Sequence, residues 1–566
     1  MTRGAWWGFA LAIAGLALAA AWSSLGNGFA YDDIYVITRD ANRMHTLAGW
    51  WREFATTYWL SDARAAGDGY RPLTILAFKA QWVLGGGKPL LFHAVSVGVH
   101  VVTAVLVYWL AGATLPRAAA VAAAALYAVH PVHVEAIANV VGQSELVVAL
   151  LVVLAMGLYL HGRVAGPLSW RRWAVITVLY GIALLFKEHA ITLIALLPLA
   201  ELVMVHDRED WRRRLVRMRL PLLVLALVAV AYLWVRSIVV VGSGFLPYIV
   251  FQGLDLSTRD RVLTMIGASP EWLRLLLWPA RLTTEYAPPY VEVAQGISIT
   301  QLPGLLLLVG VLGLIAATWR RSPATAFGIA WLVITLSPSS NFLLPAGFII
   351  AERTLLLPSV GAMIAVASVI TWLYGRFEYR PAARYAGVAA LMLLVGLGLA
   401  RSHSRNPVWR DNEALFRQGL KDSPDSYRVH FMLGTLLFQQ GKKVEAERHY
   451  RIALRLFPYD PVMVYSLAEH YRGARMCGPA LPLYEVYFQI APSTARGRLG
   501  HVQCLLVTRR LEDAREAALL AIRHGAPVRT ARRLLEAIRV AEDSLAARQA
   551  RGDTLRKATP PTRPAG

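Results

Sequence analysis

Hydrophobic positions in this chain neither alternate nor keep to one helical face; they come in unbroken runs. Ala5–Leu25, Leu91–Thr114, Ala174–Phe186, Leu220–Val241, Leu302–Thr318 and Thr354–Tyr374 each hold few or no charges. A bilayer core ~30 Å thick is crossed by roughly 20 such residues in a helix. The runs predict an all-α polytopic membrane protein with about eleven transmembrane helices. Spans are expected near 5–25, 91–114, 117–130, 145–162, 174–186, a sixth after Lys187-Glu188, 220–241, 301–319, 324–343, 355–375 and 384–402. Residues 26–90 and 242–300 are read as long outer loops. The second contains a short apolar piece near 269–280, bracketed by Pro270 and Pro279, that lies at the interface or re-enters.

Charge fixes the orientation. The 566 residues carry a net charge of +22, which on its own would invite a nucleic-acid partner. The basic residues argue against one, because they sit between apolar runs: Arg163, Arg171 and Arg172; Arg208, Arg212, Arg213, Arg214, Arg217 and Arg219; Arg320 and Arg321; Arg376, Arg380 and Arg384. That is the positive-inside pattern of short cytoplasmic loops. With the N-terminus inside, every strongly basic short loop is inside and the C-terminal region is outside. The opening Met1-Thr2-Arg3 and apolar run are read as a retained helix, since the run is long for a signal peptide and lacks a clear cleavage site.

Beyond residue 408 the pattern changes to a period of 34. Ala446, Ala480 and Ala514 keep that spacing, as do Phe416, Tyr450 and Tyr484, and Pro424, Pro458 and Pro492. Gly434 and Ala468 hold the small position of the first helix. This is the tetratricopeptide pattern, an α-solenoid that binds partners and carries no chemistry. The expected organisation is a membrane domain over 1–403, a helical-repeat domain over 404–550, and a disordered tail over 551–566 with Pro560, Pro561 and Pro564. The two cysteines, Cys477 and Cys504, both fall in the repeats. A disulfide and two separate buried thiols both remain open.

Chemistry is expected where charge is placed against its cost, and all such places fall on the outer side. Asp32-Asp33 follow the first span directly. Adjacent carboxylates repel, so one holds a proton, binds a cation or serves as general base toward a hydroxyl; a helix cap is the alternative. Arg71, in Tyr70-Arg71-Pro72-Leu73-Thr74, offers a permanent planar charge for a phosphate or snorkels at the interface. His130-Pro131-Val132-His133-Val134-Glu135 has two histidines and a carboxylate without the helical spacing of zinc proteases. It reads better as a cap or a binder of sugar hydroxyls or phosphate than as a metal site. Lys187-Glu188-His189 interrupts an apolar stretch, as a functional ion pair or a plain turn. Glu352-Arg353 repeats that logic before the tenth span. There is no convincing Gly-rich nucleotide loop and no Ser/His/Asp set, so a donor should come from the membrane.

In this order, Tyr31-Asp32-Asp33, Tyr70-Arg71-Pro72-Leu73-Thr74, Phe92-His93 with His100, the His130–Glu135 segment, Lys187-Glu188, Ala351-Glu352-Arg353 and Leu357-Pro358-Ser359-Val360-Gly361 resemble the transmembrane O-mannosyltransferases with C-terminal tetratricopeptide repeats. Gly142-Gln143 stands where that family usually has Gly-Arg. The resemblance implies a GT-C type bundle and a polyprenyl-phosphate sugar, mannose in the animal relatives, as donor. It implies transfer to Ser or Thr hydroxyls with inversion at the anomeric carbon. By it, Asp32 or Asp33 is the base. Arg71, Lys187 and Arg353 hold the leaving phosphate, with Glu188 and Glu352 beside them, and His130, His133 and Glu135 line the sugar pocket. No resident cofactor is implied, and dependence on a divalent cation is left open. The partners implied are a lipid-linked sugar and a protein acceptor docked on the repeats, with no nucleic acid. The membrane is a bacterial inner membrane with a periplasmic C-terminus, or the endoplasmic reticulum with a lumenal one. The alternatives are a transferase modifying a lipid or glycan, a transporter or flippase, and a repeat-bearing scaffold.

Overall fold

The computed structural model describes residues 3–39, 41–59, 69–164, 166–205, 209–240, 257–376 and 380–558. The chain divides into two compact units, one running to His449 and the other from Tyr450 onward. Residues 242–256 of the second outer loop, and Arg208 of the basic loop, lie outside the described residues.

Every apolar run is helical in the first unit: α1 (Arg3–Ala21), α2 (Pro89–Ala111), α3 (Arg117–Ala128), α4 (Gln143–Arg163), α5 (Trp170–Phe186), α6 (Leu193–Val203), α7 (Trp211–Val240), α8 (Leu302–Thr318), α9 (Pro323–Leu336), α10 (Leu356–Arg376) and α11 (Pro381–Arg405). Among the described residues seven helices are long and apolar enough to cross a membrane singly, and an eighth span results if α3 is joined to the helix after it. The count of about eleven therefore resolves into seven or eight long spans and shorter apolar helices between them. Proline and charge explain the shortening. Pro131 breaks the chain after α3, and the helix Val134–Ala138 leaves at 45°. Lys187 ends α5 in extended conformation after 17 residues, a rise of about 26 Å against a core of ~30 Å. The expected interfacial piece is the end of a helix, Thr258–Leu277, that contains Pro270.

The centre of this unit is built from α2, α3, α4 and α10. Small residues let their backbones approach, as membrane helices require when lipid offers no hydrophobic drive between them. Ala119, Ala120 and Ala122 to Ala125 of α3 are buried. One close crossing joins α9 to α10. A Cβ added at Gly361 would run into the Gly328 carbonyl and stand 2.7 Å from the Trp331 side chain. The Trp331 indole N–H donates to Leu357 O at 2.9 Å across the same crossing. Part of the Leu-Pro-Ser-Val-Gly segment is thus a packing device. Gly361→Ala is expected to cost about 1–3 kcal/mol through overpacking, read as a lower melting temperature in detergent; an unchanged melting temperature would contradict the crossing.

Beyond α11 follow α12 (Asn412–Asp422), α13 (Tyr427–Gln439) and α14 (Lys443–Leu456), which carries the division between the units. Helices α12 and α13, counted with the repeats on sequence, belong to the first unit.

The second unit continues with α15 (Pro461–Gly473), α16 (Cys477–Ile490), α17 (Arg498–Val507), α18 (Leu511–Arg523) and α19 (Val528–Ala558), each packed on the next. The periodic alanines and tyrosines are interior ones: Ala446, Ala480, Ala514, Tyr450 and Tyr484 are all buried. Cys477 on α16 and Cys504 on α17 are disulfide-bonded, with Cα atoms 4.9 Å apart. Helix α19 runs on to Ala558, into the segment read as a tail, while residues 559–566 lie outside the described residues.

Candidate active site

The loop after α1 is folded tightly against its surroundings. Gly28 N–H donates to Arg410 O at 2.9 Å, and the His93 ring bonds Gly28 O at 3.0 Å. Tyr31 adopts a left-handed conformation with φ of 57°, uncommon for a residue with a bulky side chain. Two contacts hold it there. Its N–H donates to Asn412 Oδ1 at 2.7 Å, and its hydroxyl donates to Glu285. Glu285 in turn faces Arg428 on α13 at 3.2 Å. This turn sends the two following carboxylates in different directions.

Asp33 points inward. It is fully buried and accepts from three backbone N–H groups: Ala30 at 3.3 Å, Val140 at 3.2 Å and Val141 at 2.8 Å. It clasps the first outer loop to the turn that starts α4. Burial pushes its carboxyl up to about 7, against the three N–H donors that favour the charge. Asp32 is half-buried and has no hydrogen-bond or ion-pair partner among the described residues. It sits in the field of Arg353, Glu285, Glu135 and Arg428. Burial raises its carboxyl above the ordinary aspartate range, with Arg353 opposing. Burial and the Glu285 charge likewise hold the Tyr31 phenol well above its usual value.

Three basic groups share this region, each oriented by a carboxylate. Arg353 donates from Nη1 and from its own backbone N–H, the latter at 2.9 Å, to the two oxygens of Glu135. Arg71 grips Glu188 with Nε at 3.3 Å and Nη2 at 3.1 Å. Lys187 pairs with Glu145, whose second oxygen lies 3.2 Å from His189 Nε2. Lys187 feels both Arg71 and Arg353, and Arg353 feels Asp32 and Glu145, so the groups form one electrostatic cluster. Nη1 of Arg71 and two of the three Lys187 donors have no partner among the described residues. Oriented cations with donors to spare suit a phosphate.

The remaining expected residues are placed elsewhere. His130 bonds Leu276 O and His133 bonds Ser359 Oγ, at 3.0 and 2.8 Å. Both are buried in a ring cluster with His100 and Tyr127. Glu352 accepts from Thr283 N–H and the Tyr286 hydroxyl, both at 2.8 Å. Among the described residues no group of three or more His, Cys, Asp or Glu could hold a metal ion. Gln143 does not stand in for an arginine at the cluster; it exchanges amide hydrogen bonds with Gln81 and donates to Phe92 O. Glu145, Glu285, Arg428 and Tyr58 belong to the cluster and were not singled out from sequence. Glu145 alone had a local signal, as a charge in the first turn of an apolar helix.

The family profile of dolichyl-phosphate-mannose-protein mannosyltransferases matches residues 86–234. The human protein O-mannosyl-transferase TMTC1 is 27% identical over 505 residues, covering 80% of this chain and 55% of that relative. The Drosophila melanogaster protein O-mannosyl-transferase Tmtc1 is 28% identical over 528 residues, 76% of this chain and 59% of its own. The chain is similar to the transmembrane protein O-mannosyltransferases. It spans 55% to 59% of the length of these two relatives. Together with its apolar helices, this makes it a multi-pass membrane protein. The Archaeoglobus fulgidus oligosaccharyltransferase, in a crystal structure with a tethered acceptor peptide, is also similar, at a TM-score of 0.41 and 14% identity over 81% of this chain and 60% of that one. That likeness is too loose to define the fold further.

Proposed function

We propose that this chain is a GT-C type glycosyltransferase that moves a sugar, mannose first among the candidates, from a polyprenyl-phosphate to Ser or Thr hydroxyls of proteins at the outer membrane face. The observation that carries the reading is Asp32: an unpartnered, half-buried carboxylate beside oriented cations. Asp32 takes the proton of the acceptor hydroxyl as its oxygen attacks the anomeric carbon. The bond from that carbon to the phosphate oxygen breaks, and the electron pair leaves with the polyprenyl phosphate. Attack from the opposite face inverts the configuration. Arg71, Lys187 and Arg353 stabilise the charge that develops on the leaving phosphate. Charges gathered in one cluster, rather than strung along a pathway, favour a transferase over a transporter. The Cys477–Cys504 disulfide supports an oxidising compartment for the second unit, the periplasm or the reticulum lumen.

Transfer of radiolabel from polyprenyl-phosphate mannose into envelope proteins tests the reading. Label in protein is the expected result; label in lipid changes the acceptor; no transfer from mannose or any other polyprenyl-phosphate sugar overturns it. The same assay reads the base. Only ionised Asp32 accepts a proton, so activity falls as pH drops through its raised pKa. The acid limb of kcat/KM is therefore expected above the usual aspartate value of ~3.9. A limb at or below that value would contradict the assignment.

A further inference from the structure

Tyr58 lies in the outer loop, fourteen residues before the helix Pro72–Gly85. Its side chain is buried, 1% exposed, yet its hydroxyl has no hydrogen-bond partner among the described residues. Buried hydroxyls are almost always paired, because leaving water without a partner is costly. The position is not an accident of a loose loop. Tyr58 N–H donates to Gly69 O at 2.7 Å, and Arg43 donates to Thr57 O at 3.2 Å. Arg43 is itself anchored, with Lys79, on the buried Glu53. The Arg71 guanidinium covers the ring at 4.9 Å from its centroid. The hydroxyl feels the charges of Asp32, Asp33, Arg71 and Arg353, and hydrogen-bonds to none of them.

A rigidly held, buried donor without a partner among the described residues, covered by the Arg71 guanidinium, is completed by an anion that Arg71 also attracts. We infer that Tyr58 contacts substrate, donating its hydroxyl hydrogen bond to the phosphate of a polyprenyl-phosphate sugar held by Arg71. The assignment rests on the donor proposed above and adds a substrate contact to it. Nothing covalent happens at Tyr58: it keeps its proton, and the bond strengthens as the phosphate takes up the electron pair of the leaving group.

The test is binding of a short-chain polyprenyl phosphate carrying no sugar to the full-length protein in nanodiscs, with inorganic phosphate as a second probe. Tyr58→Phe removes one oxygen and leaves the ring under Arg71. A hydrogen bond to a charged group predicts lipid phosphate binding about 10- to 100-fold weaker in this variant. Its melting temperature without ligand should be unchanged or higher, since an unpaired hydroxyl has gone; a structural tyrosine would instead melt lower. Loss of affinity shared by both probes assigns the contact to phosphate, whichever molecule carries it. Equal affinity in the wild type and Tyr58→Phe overturns the Tyr58 contact and leaves the donor reading standing. A wild type that binds neither probe overturns the donor reading and the contact with it.

Discussion

Asp32→Asn is expected to lower transfer by about 10³-fold while leaving the fold intact, and Asp33→Asn to do the reverse. The two residues are chemically identical neighbours, so the difference lies entirely in where the turn at Tyr31 sends them. Asp32 meets no donor that depends on its charge, so replacing one oxygen by an amide removes a base and little else. General bases contribute 10² to 10⁴ in rate. Asp33 accepts from three backbone N–H groups with both oxygens. An amide NH₂ in that clasp would face a donor and strand it, at a cost of about 2–4 kcal/mol. The pair of measurements is radiolabel transfer and thermal unfolding on each purified variant. Full transfer by Asp32→Asn would remove Asp32 as base. A fully stable but inactive Asp33→Asn would move the base to the other carboxylate.

What could be read in the sequence, and what could not, follows from range. The apolar runs are local, and each of the eleven appears as a helix, α1 to α11. Whether a run is long enough to span is less local, because Pro131 and the Lys187-Glu188 break cut helices that composition alone would extend. The candidate cations and carboxylates stood out as charges beside apolar runs, and Asp32, Arg71, Lys187, Glu135 and Arg353 do converge. Their partners did not stand out. Glu285 reaches Tyr31 across 254 residues and Arg353 reaches Glu135 across 218, distances over which no spacing rule operates. Tyr58 resembles any loop tyrosine until its burial and its missing partner are known. The left-handed turn at Tyr31 had no glycine to announce it; the chain holds that conformation through Asn412 instead.

Arg353→Ala is expected to be the second severe variant, damaging both fold and activity, and a double variant should separate the two. The Arg353 side chain caps Glu135, a carboxylate only 4% exposed, and its guanidinium stacks 5.4 Å over the Phe348 ring. Removing the arginine leaves a buried charge with the Arg353 position's backbone N–H as its remaining donor, and breaking such a pair typically costs about 3–5 kcal/mol. The same change deletes the cation that faces Asp32 and, in the proposed reaction, the leaving phosphate. A melting curve alone could not tell these effects apart. Adding Glu135→Gln neutralises the stranded carboxylate, so the double variant should regain most of the lost stability. It should regain none of the transfer, because no cation has been restored. Arg353→Lys offers the complementary check: a point charge returns and the backbone N–H bond to Glu135 stays, but the planar guanidinium over Phe348 with its further donors does not, so transfer should recover only in part. If the double variant recovered activity along with stability, Arg353 would be a structural partner of Glu135 and its role toward phosphate would fall to Arg71 and Lys187.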